Sequence, residues 1–387
     1  MNTFLLASYL AIKEVLRNKG RFALVGLVIA LITLLVLFIA ALGEGLGNGN
    51  RQYISKLDAQ LIVFLEKSDF IIAASRLDPA TVRAVRRVEG VADAGAIYTA
   101  STEINAPLDE PQRVSLLGVE PGRPGAPGVL EGRFFRSADT DETVIDANVA
   151  LRTGLKVGDE ITIRSTQGTK DQFFKLRIVG LTEGQSYFFQ PTIFVSPATW
   201  ERVRPKSEAE RSIITPSPNI IAVRLKDPQA AEAMAALLQA RISNIEVADI
   251  PTTINNIPGY SAQQGTVQTQ GVFTLLIGVL VIGGFFQIQI LQKVPQIGVL
   301  KAIGASNAAV GAAAVIQIIV VTAFGVGLGG LVTFLFSLFF PPTIPLQFNG
   351  NATALAVAAL LLIGPLGGMV SIIYAVRIEP LKALRLS

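Results

Sequence analysis

Long stretches without charge divide the chain into membrane-spanning and water-exposed parts. Residues 22–42 and 272–291 contain no charged side chain, and 308–340 and 353–376 form two further uncharged runs. At about 1.5 Å of rise per residue, about 20 apolar residues make a helix that crosses the hydrocarbon of a bilayer. The pattern therefore predicts four transmembrane helices over these ranges.

The last two runs belong to one uncharged stretch that is too long for a single helix. Its middle contains a group of turn-forming residues: Pro341, Pro342, Pro345, Asn349, Gly350 and Asn351. Proline lacks the N–H that a continuing helix needs, and Asn and Gly favour turns. We therefore expect the chain to reverse its direction there.

The segment 1–21 places apolar and charged side chains on opposite faces at helical spacing. Such a segment is typical of a helix that lies on a membrane surface. The run at 22–42 is longer than the apolar core of a secretory signal peptide, and the Gly-Glu-Gly-Leu-Gly that follows is a poor cleavage site. We predict an uncleaved anchor.

The polar block 43–271 contains two similar β-α-β patterns, at 59–105 and 219–249. In each, a short apolar strand is followed by an Asp-Pro pair, at 78–79 and 227–228, which opens a helix that leads into a second strand. The Asp can accept hydrogen bonds from free N–H groups of the first turn, and Pro suits the first helical position. The repetition predicts two β-α-β halves of one α/β lobe.

Between the two halves, residues 106–218 form short strand patterns separated by turn residues. The candidate strands are 114–118, 143–145, 160–164, 173–181 and 192–195. The predicted fold class is therefore a membrane protein with four transmembrane helices and, between the first and second, an extracytoplasmic α+β domain whose β-α-β halves flank a mostly β insertion.

Composition narrows the chemistry that the chain can perform. Half of the residues are hydrophobic, 16% are charged, and the chain has neither cysteine nor histidine. Thiol nucleophiles, imidazole bases and the usual ligands of zinc or haem are therefore absent. We predict that the chain is not an enzyme and binds no metal or cofactor of its own.

The distribution of Lys and Arg predicts the orientation of the spans. Basic residues lie before the first run, at Lys293 and Lys301 in the loop 292–307, and in the tail 377–387, whereas 341–352 has none. We expect both termini and the loop 292–307 to be cytoplasmic and 43–271 to lie outside, in a multi-pass protein of the inner or plasma membrane. The basic pI then follows from topology, and we expect membrane lipid, not nucleic acid, as a neighbour.

The glycines at 43, 45, 47 and 49 superficially resemble a phosphate loop. They follow a membrane helix instead of a strand, which argues against nucleotide binding. The flanks 43–58 and 250–270 are compatible with stalk helices that continue the first and second spans, but these conformationally permissive glycines favour at least one flexible joint. Within the spans, we expect Gln287, Gln289 and Gln317 to form hydrogen bonds between helices, and the pairs Gly325/Gly329 and Gly364/Gly368 to pack spans of one subunit together.

The most informative motif is in the loop 292–307, in the segment Gln296-Ile-Gly-Val-Leu-Lys-Ala-Ile-Gly-Ala305. On physical grounds alone it reads equally well as a short amphipathic connector. It also resembles the Arg-Glu-Ile-Gly-Ile-Leu-Arg-Ala-Ile-Gly-Ala signature of the MacB/FtsX/LolC family of ABC transporter permeases, the type VII exporters. Pro295-Gln296 replaces the Arg-Glu pair, so an ion pair from the glutamate is not expected here.

Two further motifs resemble the same family. The tail Arg377-Ile-Glu-Pro-Leu-Lys-Ala-Leu-Arg385 is similar to its Asp-Pro-x-x-Ala-Leu-Arg ending, and Gly154-Leu-Lys-Val-Gly-Asp-Glu-Ile-Thr162 is similar to a Gly-Leu-Lys-x-Gly-Asp segment of MacB-type external domains. With the four-span layout, the resemblance covers nearly the whole chain.

The resemblance implies that the chain is the permease subunit of an ABC transporter, which relays ATP-driven motion of a separate ATPase to the external domain for export or extraction of a substrate. It implies a homodimer or heterodimer of permeases on two ABC ATPase subunits, and it is compatible with a periplasmic adaptor. No Gly-x4-Gly-Lys-Ser/Thr sequence occurs here, so ATP and Mg would be bound by the partner. The residues implied to couple to the ATPase are Val294, Pro295, Gln296, Ile297, Gly298, Val299, Leu300, Lys301, Ala302, Ile303 and Gly304. The residues implied as tail contacts are Pro380, Leu384 and Arg385.

Two other functions stay open at this point. One is an FtsX-like regulator that transmits the state of an ATPase to cell-wall hydrolases, although the external domains of such regulators are generally smaller. The other is a membrane-anchored receptor or surface enzyme with no ATPase. A nucleotide-binding partner that co-purifies would distinguish the transporter from the receptor.

Overall fold

The computed structural model describes residues 13–14, 17–136, 140–208, 216–339 and 346–378. The chain divides into two compact units: the membrane unit, formed by the chain up to Gly45 and from Gly265 onward, and the external unit, Leu46–Gln264. The predicted turn residues at 341–345, the tail contacts Pro380, Leu384 and Arg385, and most of the segment 1–21 lie outside the described residues.

Helices occur throughout the described chain. They are α1 (Lys19–Ser55), α2 (Pro79–Arg86), α3 (Ala147–Thr153), α4 (Pro197–Val203), α5 (Ala231–Arg241), α6 (Ile250–Asn255), α7 (Tyr260–Ala302), α8 (Asn307–Ser337) and α9 (Gly350–Arg377). Four of them, α1, α7, α8 and α9, are long and apolar enough to cross a membrane. The four predicted spans are thus present in the fold.

Helices α1 and α7 are longer than the uncharged runs at 22–42 and 272–291. Helix α1 continues through Gly43, Gly45, Gly47 and Gly49 to Ser55, so the flexible joint that we predicted there is wrong. The contacts of these glycines with α7 explain the difference.

The glycines of α1 allow close packing against α7. A Cβ at Gly43 would lie 2.5 Å from Val267 Cγ1, and one at Gly47 would lie 2.8 Å from Gln264 Nε2. One turn further, Arg51 Nη1 donates a hydrogen bond of 2.9 Å to the hydroxyl of Tyr260. The glycine-rich segment 43–49 has a low intrinsic helix propensity. Packing against α7 therefore stabilises the helix there.

Small residues also bring the spans together inside the membrane unit. A Cβ at Gly325 of α8 would lie 2.6 Å from Ile29 of α1, and one at Gly364 of α9 would lie 2.0 Å from Thr322 of α8. Gly329 and Gly368 have equally close neighbours in α1 and α8. The predicted packing of these glycine pairs within one subunit is confirmed.

The external unit is built on a ten-stranded sheet. Its strands are β1 (Leu61–Leu65), β2 (Val91–Ala106), β3 (Gln112–Val119), β4 (Val129–Gly132), β5 (Glu142–Asp146), β6 (Glu160–Gln167), β7 (Lys170–Thr182), β8 (Thr192–Val195), β9 (Ile220–Leu225) and β10 (Ile245–Asp249). The order is β10-β1-β9-β2-β3-β8-β5-β7-β4, and β6 pairs with β2 and β7.

The two predicted β-α-β halves interlock. Strands β1 and β2 both pair with β9, while β9 and β10 each pair with β1, always antiparallel. Each half is thus a split β-α-β unit that receives a strand of the other between its own two strands. Asp78 and Asp227 accept hydrogen bonds from Ala80 N and Gln229 N, as the capping prediction requires.

The β insertion is not a separate layer from the two halves. Strand β2 pairs with β9 at one end and with β3 and β6 at the other, so one long strand joins the halves and the insertion in a single sheet. One hydrophobic cluster includes Val85 of α2, Leu116 of β3 and Leu238 of α5, so both helices pack against the sheet through it. A second cluster includes Tyr53 and Ile54, the last turn of α1.

Candidate functional site

The predicted coupling residues lie at the end of α7 and in the turn that follows it. Val294 to Ala302 are helical, so the segment 292–307 is for the most part a continuation of the second span and not an extended loop. Pro295 lies inside this helix and removes one backbone N–H donor. Ile303 and Gly304 make the connection to α8.

This end of α7 has an exposed and an inward face. Gln292, Gln296, Val299 and Ile303 are exposed, with the side chains of Val299 and Ile303 at 48% and 76% of their full exposure. Their spacing of three or four residues places them on one side of a helix. The apolar side chains of Val299 and Ile303 are therefore exposed at the C-terminal end of α7, on the same face as the polar Gln292 and Gln296.

The inward face holds the segment against the neighbouring spans. Ile297 and Leu300 pack against a small cluster formed by Ile290 of α7, Val310 of α8 and Ala375 of α9. Gly298 is buried on the same side of the segment. The inward face of this segment is therefore packed against both α8 and α9.

The turn after α7 is fixed by backbone hydrogen bonds. Gly304 has φ of +102°, its N–H donates to Lys301 O at 3.0 Å, and the N–H of Ala305 donates to Leu300 O at 3.0 Å. This is a Schellman motif, in which glycine supplies the left-handed residue. Ser306 then caps α8 by accepting from Ala309 N at 3.2 Å.

Lys301 connects this turn to the last span. Its Nζ donates to Val376 O at 2.6 Å and to Ile378 O at 3.0 Å, both at the C-terminal end of α9. The last carbonyls of a helix lack helical partners and carry partial negative charge, which an ammonium group stabilises. The motif places Lys301 among the predicted ATPase contacts, and no local signal in the sequence indicates this bond to α9.

Charged and polar groups before α1 approach the same end of α7. Arg21 donates to the side chain of Gln292, and Lys293 forms an ion pair with Glu14. The Lys293 ammonium also lies 5.9 Å from the ring centre of Phe22. These contacts tie the start of α1 to the segment that carries the predicted coupling residues.

The opposite end of α1 is anchored in the external unit. The Gln52 amide oxygen accepts from Asn148 Nδ2 at 3.2 Å and from Ser186 N at 3.0 Å. The buried Tyr53 hydroxyl donates to Gly125 O at 2.9 Å, and its N–H donates to Ser186 O. All partners are distant in sequence, so sequence reasoning could not identify this anchor.

The third motif of the sequence, Gly154 to Thr162, has a structural role. Gly154 ends α3 with φ of +75°, and Gly158 has φ of +104° in the turn before β6. Asp159 accepts a hydrogen bond from Lys156 N at 2.8 Å and stabilises that turn. The motif specifies a tight connection between α3 and β6.

Comparison with known proteins agrees with this arrangement of spans and external unit. Residues 22–241 match the family model of the MacB-like periplasmic core domain, and residues 270–380 match that of the FtsX-like permease C-terminal domain. The chain belongs to the MacB/FtsX-like family of ABC transporter permeases. The predicted family is thereby confirmed, and MacB-like permeases of this kind are multi-pass membrane proteins.

Two named relatives extend over the full length of this MacB-like permease. The putative hemin transport system permease protein HrtB of Staphylococcus haemolyticus is 24% identical over 97% of this chain and 98% of its own. The protein of the same name from Staphylococcus epidermidis is 22% identical over the same shares. The extracellular domain of the noncanonic ABC-type transporter YknZ is similar at a TM-score of 0.36 and 15% identity, over 49% of this chain and 99% of that domain.

Proposed function

We propose that this chain is the membrane subunit of an ABC exporter, in which a separate ATPase docks on Val294–Gly304 and its motion is relayed to the external unit. ATP and Mg would be bound by that partner, and the permease would work as a homodimer or heterodimer. In this proposal both termini and the α7–α8 turn face the cytoplasm.

The exposed pair Val299 and Ile303 is the observation that carries the proposal. Apolar side chains at the polar end of a span are exposed to water and headgroups, which is costly unless a partner covers them. The surrounding Gln292, Gln296 and Ala302 are uncharged as well. A small apolar patch with a polar edge is the usual composition of a protein interface core.

The firm attachment of this segment supports a mechanical role. The Schellman turn, the Lys301 bonds to α9 and the packing of Leu300 connect it to α8 and α9. At the other end of α1, Gln52 and Tyr53 are bound within the external unit. Helix α1, paired with α7, is the element that would carry the displacement.

The names of the relatives suggest a class of substrate, but they do not identify the substrate of this chain. HrtB proteins are named for hemin, a flat amphiphile, whereas this chain has no histidine or cysteine to ligate an iron. The match to a MacB-like core domain favours a MacB-like exporter over an FtsX-like regulator. We propose export or extraction of an amphiphilic compound on the outer side.

The test is a double variant, Val299→Glu with Ile303→Glu, in the complex with the ATPase encoded by the same organism. Both side chains are exposed, so the fold should be retained, whereas two charges in an apolar contact should weaken docking. We expect the stimulation of ATP hydrolysis to fall by about tenfold or more, equivalent to about 1.4 kcal/mol of coupling.

Leu151→Glu is the matched control, because Leu151, at 73%, is about as exposed as Ile303 but lies on α3 of the external unit. It should leave stimulation unchanged. Normal stimulation and co-purification in the double variant would contradict the proposed docking site. Reproducible absence of any nucleotide-binding partner would contradict the transporter function itself and favour a receptor.

A further inference from the structure

A cavity of about 230 Å³ lies in the external unit, against the middle of strand β2 at 99–101. Its walls include the segment 70–73 before α2 and the residues 257–258 before α7, and the turn 187–190, which leads into β8, forms part of its edge. All of these residues belong to the external unit. The volume is below the range of about 300–1,000 Å³ for pockets that enclose a whole ligand, so this cavity suits one group of a ligand.

The turn 187–190 has an unusual sequence for its geometry. Tyr187 N donates to Gln190 O at 3.0 Å and Gln190 N donates to Tyr187 O at 3.1 Å, which closes a two-residue loop. Both central residues, Phe188 and Phe189, have positive φ, of +50° and +62°. Two positive φ angles are the pattern of a type I′ turn, which favours Asn-Gly because a bulky side chain is strained in the left-handed region. Two phenylalanines are therefore costly for the fold at this turn.

The two rings do not offset this strain by burial. The side chains of Phe188 and Phe189 are 50% and 43% exposed. Phe70, another lining residue, also has positive φ, of +57°. Residues held in the left-handed region without glycine cluster at functional sites. Phe188, which is strained, exposed and part of the lining, is thus better explained by binding than by stability.

One amide at the edge of the cavity is oriented but incompletely bonded. Gln190 Oε1 accepts from Ser101 Oγ at 3.0 Å, and Gln190 Nε2 has no acceptor in the described part of the chain. The described lining contains no carboxylate, and its cation, Arg76, donates to Ala73 O and Ser75 O. The lining therefore suits an uncharged group that accepts a hydrogen bond.

We propose that this cavity binds the flat aromatic group of an amphiphile. The group would stack on the ring of Phe188, and a carbonyl or ether oxygen at its edge would accept from Gln190 Nε2. Flat rings are favoured over an acyl chain because Phe70, Tyr187 and Phe188 offer aromatic faces and edges, which interact best with another ring. The assignment rests on the proposed function only in taking the amphiphile to be the transported compound.

The polar remainder of the amphiphile has room in an adjoining cavity of about 530 Å³. This second cavity shares Thr99 and Ser101 with the first and is also lined by Trp200. Trp200 is 5% exposed, and its indole N–H has no hydrogen-bond partner among the residues that the structure describes. A buried donor without a partner is costly, so a second acceptor on the ligand would stabilise this site as well.

The turn 187–190 is also attached to the last turns of α1. Phe189 N donates to Gly49 O at 2.9 Å, and the ring of Tyr187 packs edge-on against that of Tyr53, with ring centres 6.3 Å apart. A displacement of this part of α1 would therefore move a wall of the cavity. Such a connection suits a site that takes up a compound and releases it when α1 moves.

The test measures the binding of prodan, an uncharged naphthalene with one carbonyl group, to the full chain in nanodiscs. Trp200 is the single tryptophan of the chain and lines the adjoining cavity, so energy transfer from Trp200 is strong for bound prodan and weak for prodan dissolved in the lipid. For Phe188→Asn we expect about tenfold weaker binding. The urea midpoint of this variant should be unchanged or higher, because Asn tolerates positive φ.

Gln190→Leu tests the hydrogen bond. Prodan should bind roughly 2- to 10-fold more weakly to this variant. N-phenyl-1-naphthylamine, which has no carbonyl group, should bind as it does to the unmodified chain. Equal losses for the two probes would overturn the assigned contact with Gln190 Nε2.

Two matched controls should bind prodan as the unmodified chain does. Phe189→Asn removes the neighbouring ring of the same turn, and Phe173→Asn removes a ring on β7 that is 58% exposed, and neither residue lines the cavity. Unchanged binding by Phe188→Asn, a lower urea midpoint of that variant, or equal losses in the controls would overturn the proposal. No ATPase is present, so such a failure would leave the proposed function standing, and a failure of ATPase stimulation would leave this result unchanged.

Discussion

Asp146 is a buried carboxyl that caps a helix, and its charged form is costly to bury. Its side chain is fully buried, accepts from Val149 N at 2.7 Å and caps α3, and also accepts from Gln185 N at 3.0 Å. Burial raises the pKa of this carboxyl from 3.8 to about 6, because the hydrogen bonds only partly offset the loss of hydration.

This raised pKa predicts a pH dependence of the external unit. Between pH 4 and 6 the folded protein holds a proton that the unfolded chain has released, so stability falls as pH rises through this window. A shift of about 2 pKa units corresponds to roughly 3 kcal/mol. The free energy of unfolding of the unmodified chain, relative to Asp146→Asn, should therefore decrease by about that amount from pH 4 to pH 7.

Trp200 provides the measurement, because it is the single tryptophan of the chain and is buried in the external unit. Its fluorescence during urea unfolding reports on that unit. Asn at position 146 can still cap α3, so the variant should fold. A difference in stability that stays constant with pH would show that Asp146 does not titrate in this range.

The structure of a single helix or strand departs from its local sequence preference where contacts with a distant part of the chain are stronger than that preference. The glycines at 43–49 predict a joint because glycine disfavours helices, yet α1 is continuous there. Only residues without a side chain let Val267 and Gln264 of α7 approach α1 so closely. The Asp-Pro helix starts, by contrast, could be predicted, because capping involves only neighbouring residues.

Gly43→Ala tests this interpretation of α1. The added Cβ would lie 2.5 Å from Val267 Cγ1, and valine is too stiff to move away easily. We expect a loss of about 1–3 kcal/mol of stability from overpacking. Thermal unfolding in detergent would show it as a lower midpoint.

Gly271→Ala serves as the control, because nothing lies within 4 Å of a Cβ at this glycine of α7. There the better helix propensity of alanine should make the change neutral or stabilising, by up to about 1 kcal/mol. Equal destabilisation by both changes would mean that the glycines are not packing sites.

At the scale of the whole molecule, hydrophobic runs were sufficient to predict the four spans and their order. They could not predict that the two β-α-β halves and the β insertion share one sheet. Strand β2 joins them by pairing with β9, β3 and β6, and this combination of partners has no local signal in the sequence. For the candidate site, the motif predicts Val294–Gly304 as the coupling segment, and this assignment stays a prediction. Only the three-dimensional structure shows that Val299 and Ile303 are exposed while Leu300 is packed. The same is true of the hydrogen bonds from Lys301 to α9.

Sidedness is the property of the whole molecule on which the proposed function depends. The chain has no cysteine, so Ile303→Cys gives a single, exposed thiol. We expect a membrane-impermeant maleimide to label it only after intact cells are opened, and to label Leu151→Cys, in the external unit, without opening. The reverse pattern would contradict a cytoplasmic docking surface.

The close pairing of α1 with α7 limits how these helices can move. Contacts between them recur about every helical turn, at Gly43 with Val267, Gly47 with Gln264 and Arg51 with Tyr260. An intermediate offset would press Cβ atoms of one helix against those of the other, so sliding in small increments is disfavoured. Any axial shift would therefore occur as a step of one turn, about 5.4 Å, and in the proposed transporter a gradual movement of the ATPase would reach the external unit as a discrete step.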